Sequence, residues 1–406
     1  MTVSRKRPAI FLDDGRGLIA PLVDMRACFD VRTGALTTME RLQAALGLDV
    51  IACYVPAELA PLVAEEHPGV PINTLPALEP QTEVLLVNGR CVLPLDVIAE
   101  LEPGWAAVEE ASGDLIAACV DPLTAASVLA GQVPPCRIVT VHDHVLLRRP
   151  WDVIRFRDQA VAMDLEILVA GPSIDPAGLA IVAGEHPIRI DPSARVFPGA
   201  VLDASKGSIV IDRNAELRPG AVIIGPAYVG VSSLVTEQGV IRPNTAIGPV
   251  CKVGGEVSGA VIQGYSNKAH EGFLGDSWVG QWVNLGAGTI TSNLLNTYSE
   301  ISAVAEPGFG RERTGLQFFG CVLGDHVKTA IATRIMGGSV VHTGTMWAAA
   351  SPVAGCIARF AWSTDAGVRQ FRLARFLETM DAMMARRQVR ASDAYRDRIR
   401  RLHERA

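Results

Sequence analysis

From Ile211 the sequence runs IDRNAE, LRPGAV, IIGPAY, VGVSSL to Leu234, placing Ile211, Leu217, Ile223 and Val229 six residues apart. The same step returns at Ile241, Ile247 and Val253, at Val279 and Leu285, and at Leu323, Thr329, Ile335 and Val341; Ile190 and Val196 extend it backwards. An alternating strand repeats every two residues and a helix near 3.6. A six-residue unit with one aliphatic side chain and frequent Gly, Pro or Asn suits a short strand followed by a corner, and three such sides make one coil. Stacked coils bury the aliphatic column and satisfy each other's backbone groups, so the units need neighbours to be stable. The period predicts an all-β, left-handed parallel β-helix over residues 186–362.

The flanks read differently. Residues 1–185 mix short apolar runs (AIFLDD, DVIACYV, TEVLLVNG, IVTVHDHVLL) with amphipathic segments such as TMERLQAALGL, which is an α/β pattern. Residues 294–319 break the six-residue step with a polar, Gly-rich stretch and read as an inserted loop or arm. Residues 363–406 have helical spacing and many arginines, and read as a helical tail packing on a neighbouring copy.

With 49% apolar and 20% charged residues, the 406-residue chain is long enough for two or three domains with real cores. The 37 Lys and Arg against 43 Asp and Glu leave a net charge of −6, which gives no general electrostatic reason to bind nucleic acid or an anionic membrane and favours small-molecule partners. The eight cysteines form no CxxC pair and read as reduced core residues, and His326 and His342 lack the close histidine pair of a zinc site. The first apolar run, Ala9 to Leu12, is too short for a secretory signal, and no stretch approaches the roughly 20 residues that cross a bilayer. A soluble, cytoplasmic protein is expected.

The densest segment for chemistry is KAHEGFLGDSWVGQWVNLGAGTITSN, residues 268–293. It resembles the acetyltransferase half of the bifunctional N-acetylglucosamine-1-phosphate uridyltransferase and glucosamine-1-phosphate acetyltransferase family, in which a catalytic histidine stands before an LGD turn and a VNxGAGTIT run follows. Here these are His270, Leu274 to Asp276, and Val283 to Thr291. An amine attacking a thioester must lose a proton, and a neutral imidazole is a suitable acceptor. The resemblance makes His270 that base, Glu256 the carboxylate that orients it, and Asn284 a substrate contact. It places Ala287, Gly288 and Asn293 along the path of acetyl-coenzyme A, where small residues let a thioester approach the backbone. The family's substrate-binding tyrosine is Phe273 here, and its phosphate-binding lysine falls on Ser258. Arg242, with Lys268, is then the source of positive charge for the substrate.

A sugar-nucleotide pyrophosphorylase would show a Gly-rich loop cradling phosphates and an aspartate for magnesium. This chain has DDGRGLIAPL from Asp13 and VNGR from Val87. FLDD, PLVDMRACFDVRTGALT, LLVNGR and RRPWDVI, followed by EVSGAVIQGYSNKAHEGFLG and RTGLQFFGCVLGDHVKT, resemble sugar nucleotidyltransferases of the same bifunctional type across nearly the whole chain. The resemblance implies a nucleotidyltransferase-like amino-terminal domain with Asp14, Arg16 and Asn88 as its candidate nucleotide-binding residues, and Mg2+ as cofactor only if that domain is active. The function expected is acetyl-CoA-dependent N-acetylation of an amino-sugar phosphate or nucleotide sugar by a homotrimer. The alternatives are nucleotidyl transfer with the β-helix as a trimerisation scaffold, and a non-catalytic sugar-nucleotide binding protein.

Overall fold

The computed structural model describes residues 6–132 and 136–406; residues 1–5, part of the opening weighed above as a signal, lie outside them. The chain divides into two compact units, and the division is not linear. One contains Met1–Gly17, Met25–Val31 and Leu36–Arg148; the other contains Leu18–Asp24, Arg32–Ala35 and everything from Arg149.

The first unit is an α/β domain with six strands: β1 (Arg7–Leu12), β2 (Leu48–Tyr54), β3 (Val84–Asn88), β4 (Trp105–Glu109), β5 (Leu115–Val120) and β6 (Arg137–Val141). Their order is β2-β1-β3-β5-β4-β6. β1 runs parallel to β2 and β3, whereas β5 is antiparallel to both β3 and β4. Ile10, Ala52, Val84, Leu86 and Ala118 pack into one buried cluster of this sheet. The helix Thr38–Leu46 begins at Thr37, whose side chain accepts from the Glu40 amide while the Glu40 carboxylate accepts from the Thr37 amide. Gly47, at φ +62°, ends it in the left-handed conformation that a residue without Cβ takes most cheaply.

The second unit is a parallel β-helix of three walls. On the first wall, Ile190, Ile211, Val229, Ile247, Ile262, Val279, Leu323, Val341 and Ile357 pair in sequence from coil to coil. The second wall contributes Leu202, Ile223, Ile241, Val257 and Leu274. These side chains fill a single continuous core. The inserted loop leaves this stack and forms an antiparallel hairpin, Ile301–Ala303 with Glu312–Leu316. The helix Asp152–Leu168 also belongs here, lying against Ile209–Ile211 and Ala227–Val229 rather than in the α/β domain.

The tail corrects one expectation. Its helices, Leu373–Ala385 and Asp393–Glu404, pack on the chain's own coils. Tyr265, Trp282 and His326 occupy one corner of successive coils at positive φ, and the Tyr265 and Trp282 rings stack with centroids 4.5 Å apart. Phe376 meets the His326 ring edge-on, and Nε2 of His326 lies 2.7 Å from the Tyr395 hydroxyl. Burying Phe376, Met380, Met384, Ile399 and Leu402 satisfies the apolar stripe of the tail without a second copy.

Candidate functional site

In the α/β unit, register decides what meets. Leu12 of β1 pairs with Asn88 of β3, so the loops after these two parallel strands leave at the same end of the sheet. β5 runs the other way, which brings Asp114, the residue before it, to that end as well. Ligands of open α/β sheets commonly bind beyond the carboxyl ends of the strands. Asp14, Arg16 and Asn88 are therefore neighbours, and two further residues organise them. Arg90, fully buried, donates from Nε to Asp14 Oδ1 at 2.9 Å and from Nη2 to Asp14 Oδ2 and Asp114 Oδ2, each at 2.6 Å. Nη1 of Arg90 donates to the Leu147 carbonyl at 3.2 Å. Asn88 donates to Asp14 Oδ2 at 2.9 Å, the Arg16 amide donates to Asp14 Oδ1 at 3.1 Å, and the Arg16 side chain pairs with Asp114 at 2.5 Å. Burial pushes the Asp114 carboxyl upward, but hydrogen bonds and charge from Arg90 and Arg16 outweigh it and hold Asp114 below the usual carboxylate range.

Asp14 thus accepts four donors, which fills its lone pairs. Asp13 accepts the amides of Gly15 and Cys28, so the amides that would cradle phosphate in a Gly-rich loop are also engaged by side chains. Magnesium needs carboxylate oxygens free to replace its waters. Asp14 offers none, and each oxygen of Asp114 is already held by a guanidinium, from Arg16 and from Arg90, so a cluster neutralised by two arginines does not fit the ion. The organising role of Arg90 was missed in the sequence, where only its place in the VNGR run marked it; Asp114 carried no signal beyond the turn before β5.

In the β-helix, residues 267–268 end a strand on the third wall, residues 270–272 turn the corner, and Phe273–Gly275 begins the second wall. His270 stands exposed on that corner, and among the described residues no hydrogen bond reaches its imidazole. Lys268 corrects the expectation that it contacts substrate. It pairs with Val253 in the inward-facing row of the third wall, is 4% exposed, and its Nζ donates to the carbonyls of His270 at 2.6 Å, Gly254 at 3.1 Å and Glu271 at 3.3 Å. Burial pulls its pKa down to about 8, with Glu271 opposing. Lys268 therefore braces the histidine's corner from inside.

Three other assignments change. Glu256 forms an ion pair with Arg242, and no hydrogen bond joins it to His270 among the described residues, so within the chain Glu256 does not orient the histidine and Arg242 is not a free cation. Their strand positions, next to each other on the second wall, make that pairing the nearest one. Asn293 donates to Asp276 Oδ2 at 2.6 Å, and Asp276 is in turn held by Arg157 at 2.7 Å, so its amide serves the coil rather than an open channel. Ala287 and Gly288 sit on the corner below His270, where the Ala332 amide donates to the Ala287 carbonyl. Stacking itself demands small residues here: a Cβ on Gly286 would lie 2.4 Å from the Ala330 carbonyl oxygen, and Gly288 is at φ +70°. Asn284 is exposed on the outer row of the third wall, next to Asn267 and Lys328 in the adjacent coils. No helix among the described residues is long and apolar enough to cross a membrane, and no group of His, Cys, Asp and Glu among them is arranged to hold a metal ion.

The molecule thus joins an α/β unit, with a cluster of charged residues at its strand ends, to hexapeptide-repeat coils. Residues 9–173 match the family described as sugar nucleotidyl transferase. The chain is 33% identical over 135 residues to the bifunctional sugar-1-phosphate nucleotidylyltransferase/acetyltransferase of Sulfurisphaera tokodaii, a match covering 33% of each chain. It is 33% identical over 124 residues to the bifunctional protein GlmU of a Synechococcus species, covering 29% of this chain and 25% of that one. The chain spans about a third or less of the length of these two relatives. Among solved structures, the UDP-N-acetylglucosamine acyltransferase of Francisella novicida is similar at 14% identity and a TM-score of 0.29, covering 55% of this chain and 88% of the other. The matched family and the Sulfurisphaera relative are transferases by name.

Proposed function

We propose that the protein transfers an acetyl group from acetyl-coenzyme A to the amine of an amino-sugar phosphate or nucleotide sugar, with His270 as the base. The observation that carries this reading is the histidine itself: an exposed imidazole on a corner whose backbone carbonyls are fixed from inside by Lys268. A base on a rigid scaffold, with both ring nitrogens open to a ligand, suits proton abstraction from an attacking amine. The bifunctional Sulfurisphaera relative, whose name includes acetyltransferase, supports the reaction class. Asn284, exposed on the adjacent coil, positions the sugar, and the Ala287 and Gly288 corner borders the thioester's path. His270 takes the proton as the amine attacks the thioester carbonyl, and coenzyme A leaves as the thiol. The protein acts in the cytoplasm as a homotrimer in this reading.

The test is coenzyme A release from acetyl-coenzyme A over a panel of amino-sugar phosphates and nucleotide amino sugars, by wild type and His270→Ala. Turnover that falls about a hundredfold in the variant is expected for a lost general base. No turnover with any acceptor, or full turnover in the variant, sinks the proposal.

A second reading, nucleotidyl transfer, is favoured by the family match over residues 9–173. Its measurement is pyrophosphate release from UTP and a sugar phosphate with and without Mg2+. The pairing of Asp14 and Asp114 with Arg90, and of Asp114 with Arg16, predicts that any such activity does not depend on a metal held by those two carboxylates.

A further inference from the structure

Positive charge for an anionic substrate is not where the sequence pattern put it, since Lys268 faces inward and Arg242 is tied to Glu256. It lies instead along the outer row of the third wall. Asn267, Asn284, Lys328 and Met346 follow one another there in successive coils, about 4.8 Å apart. Lys328 alternates with the buried, inward-facing Val327 and Thr329, so its side chain points out of the coil. Its Nζ makes one hydrogen bond, to the His326 carbonyl at 3.2 Å, which leaves two ammonium donors unused. At the other end of the row, Nη2 of Arg387, just beyond the first tail helix, donates to Asn267 Oδ1 at 2.7 Å. Asn267 Nδ2 approaches Asn284 Oδ1 at 3.4 Å. Among the described residues neither Lys328 nor Arg387 has a carboxylate partner, unlike the partly buried Arg359 and the buried Arg157, which are ion-paired. The row continues past Met346 to Trp362 and a cavity of about 370 Å³. Its wall adds Arg369 and Arg372, while its one carboxylate, Glu378, is paired with Arg375.

Two cations held about two coil spacings apart, with exposed amide side chains between them and no anion to neutralise them, match a group with several negatively charged oxygens. We infer that Lys328, Arg387 and Asn284 form a binding site for phosphate or diphosphate groups on the third wall. Burial draws the Lys328 pKa down to about 8, and a bound phosphate supplies the counter-charge that raises it again. The identity of the ligand rests on the acyl-transfer reading, since phosphates reach such a site either on the acceptor sugar or on coenzyme A; the arrangement of the cations does not rest on it.

The experiment is calorimetric titration of the full chain with inorganic pyrophosphate, glucosamine-1-phosphate and coenzyme A, for wild type, Lys328→Met, Arg387→Gln and Lys328→Arg, with melting temperatures as the check on folding. Wild type is expected to bind at least one of the three, with affinity falling about tenfold or more in Lys328→Met and in Arg387→Gln, as for loss of a charge-assisted hydrogen bond, and largely retained in Lys328→Arg. A loss seen with coenzyme A and not with the sugar phosphate assigns the site to the coenzyme, and the converse assigns it to the acceptor. Wild type that binds none of the three, or folded variants that bind within twofold of wild type, overturns the inference. Binding that persists in a protein without acetyl-transfer turnover keeps the site and removes the acyl-transfer reading instead.

Discussion

Asp14 and His270 are the leading candidates of their two units, and their surroundings are opposite. Asp14 accepts from Asn88, from the Arg16 amide and twice from Arg90, and that guanidinium also holds Asp114. Among the described residues no hydrogen bond reaches the His270 ring, and the carbonyls of its corner are held by Lys268. A network that satisfies itself stabilises a fold and leaves little for a ligand, whereas a polar group held in place but left open is prepared for one. The residues that looked most like a nucleotide site thus form a closed ion-pair cluster, while the reactive candidate sits on a corner that the fold keeps uncovered.

The contrast is most exposed to failure at Arg90. Replacing it with Met leaves Asp14 without a charged partner and Asp114 with Arg16 alone, and a loss of about 3–5 kcal/mol in unfolding free energy is expected by chemical denaturation. A loss below about 1 kcal/mol would show that the cluster is not the closed, mutually dependent network described here. Near the histidine, Gly286→Ala must push the Ala330 carbonyl aside and is expected to cost about 1–3 kcal/mol. Gly288→Ala meets nothing closer than 3.5 Å but places a Cβ at φ +70°, so its cost is expected to be smaller, about 1 kcal/mol. The reverse order would mean that coil stacking does not set the size of these residues.

Lys268 sharpens the comparison through pH. Its folded pKa of about 8 lies below the ordinary lysine value of 10.5, so between these the folded chain binds fewer protons than the unfolded one and stability gained from this residue rises with pH. Denaturation of wild type and Lys268→Met from pH 7 to pH 10 isolates that slope, which is at most about 1.4 kcal/mol per pH unit for one group. Equal slopes in the two proteins would place the Lys268 amine in water rather than inside the wall.

Much of the fold was legible because its repeat is local. Ile211, Val229 and Ile247 are eighteen residues apart, one full coil of three six-residue sides, and their pairing follows from that count. The α/β pattern of the first unit and the breaks at the insertion and the tail were legible for the same reason. The period is weakest where the chemistry lies: Ile247 pairs with Ile262 and Val253 with Lys268, fifteen residues on, so these coils are three residues shorter and the six-residue count loses its phase. That shift turns Lys268 inward, and no side-chain pattern announces it.

By itself the sequence determined the coiled architecture, the α/β domain before it, and His270 as the residue to examine, because hydrophobic period and local motif are properties of neighbouring residues. Only the tertiary structure decided which charges remain available. Arg90 is separated from Asp114 by a strand crossing, Arg242 from Glu256 by one coil, and Arg387 from Asn267 by the docking of the tail. An ion pair depends on distance in space, and in a stacked or crossed chain that distance is set by register and docking rather than by separation along the sequence.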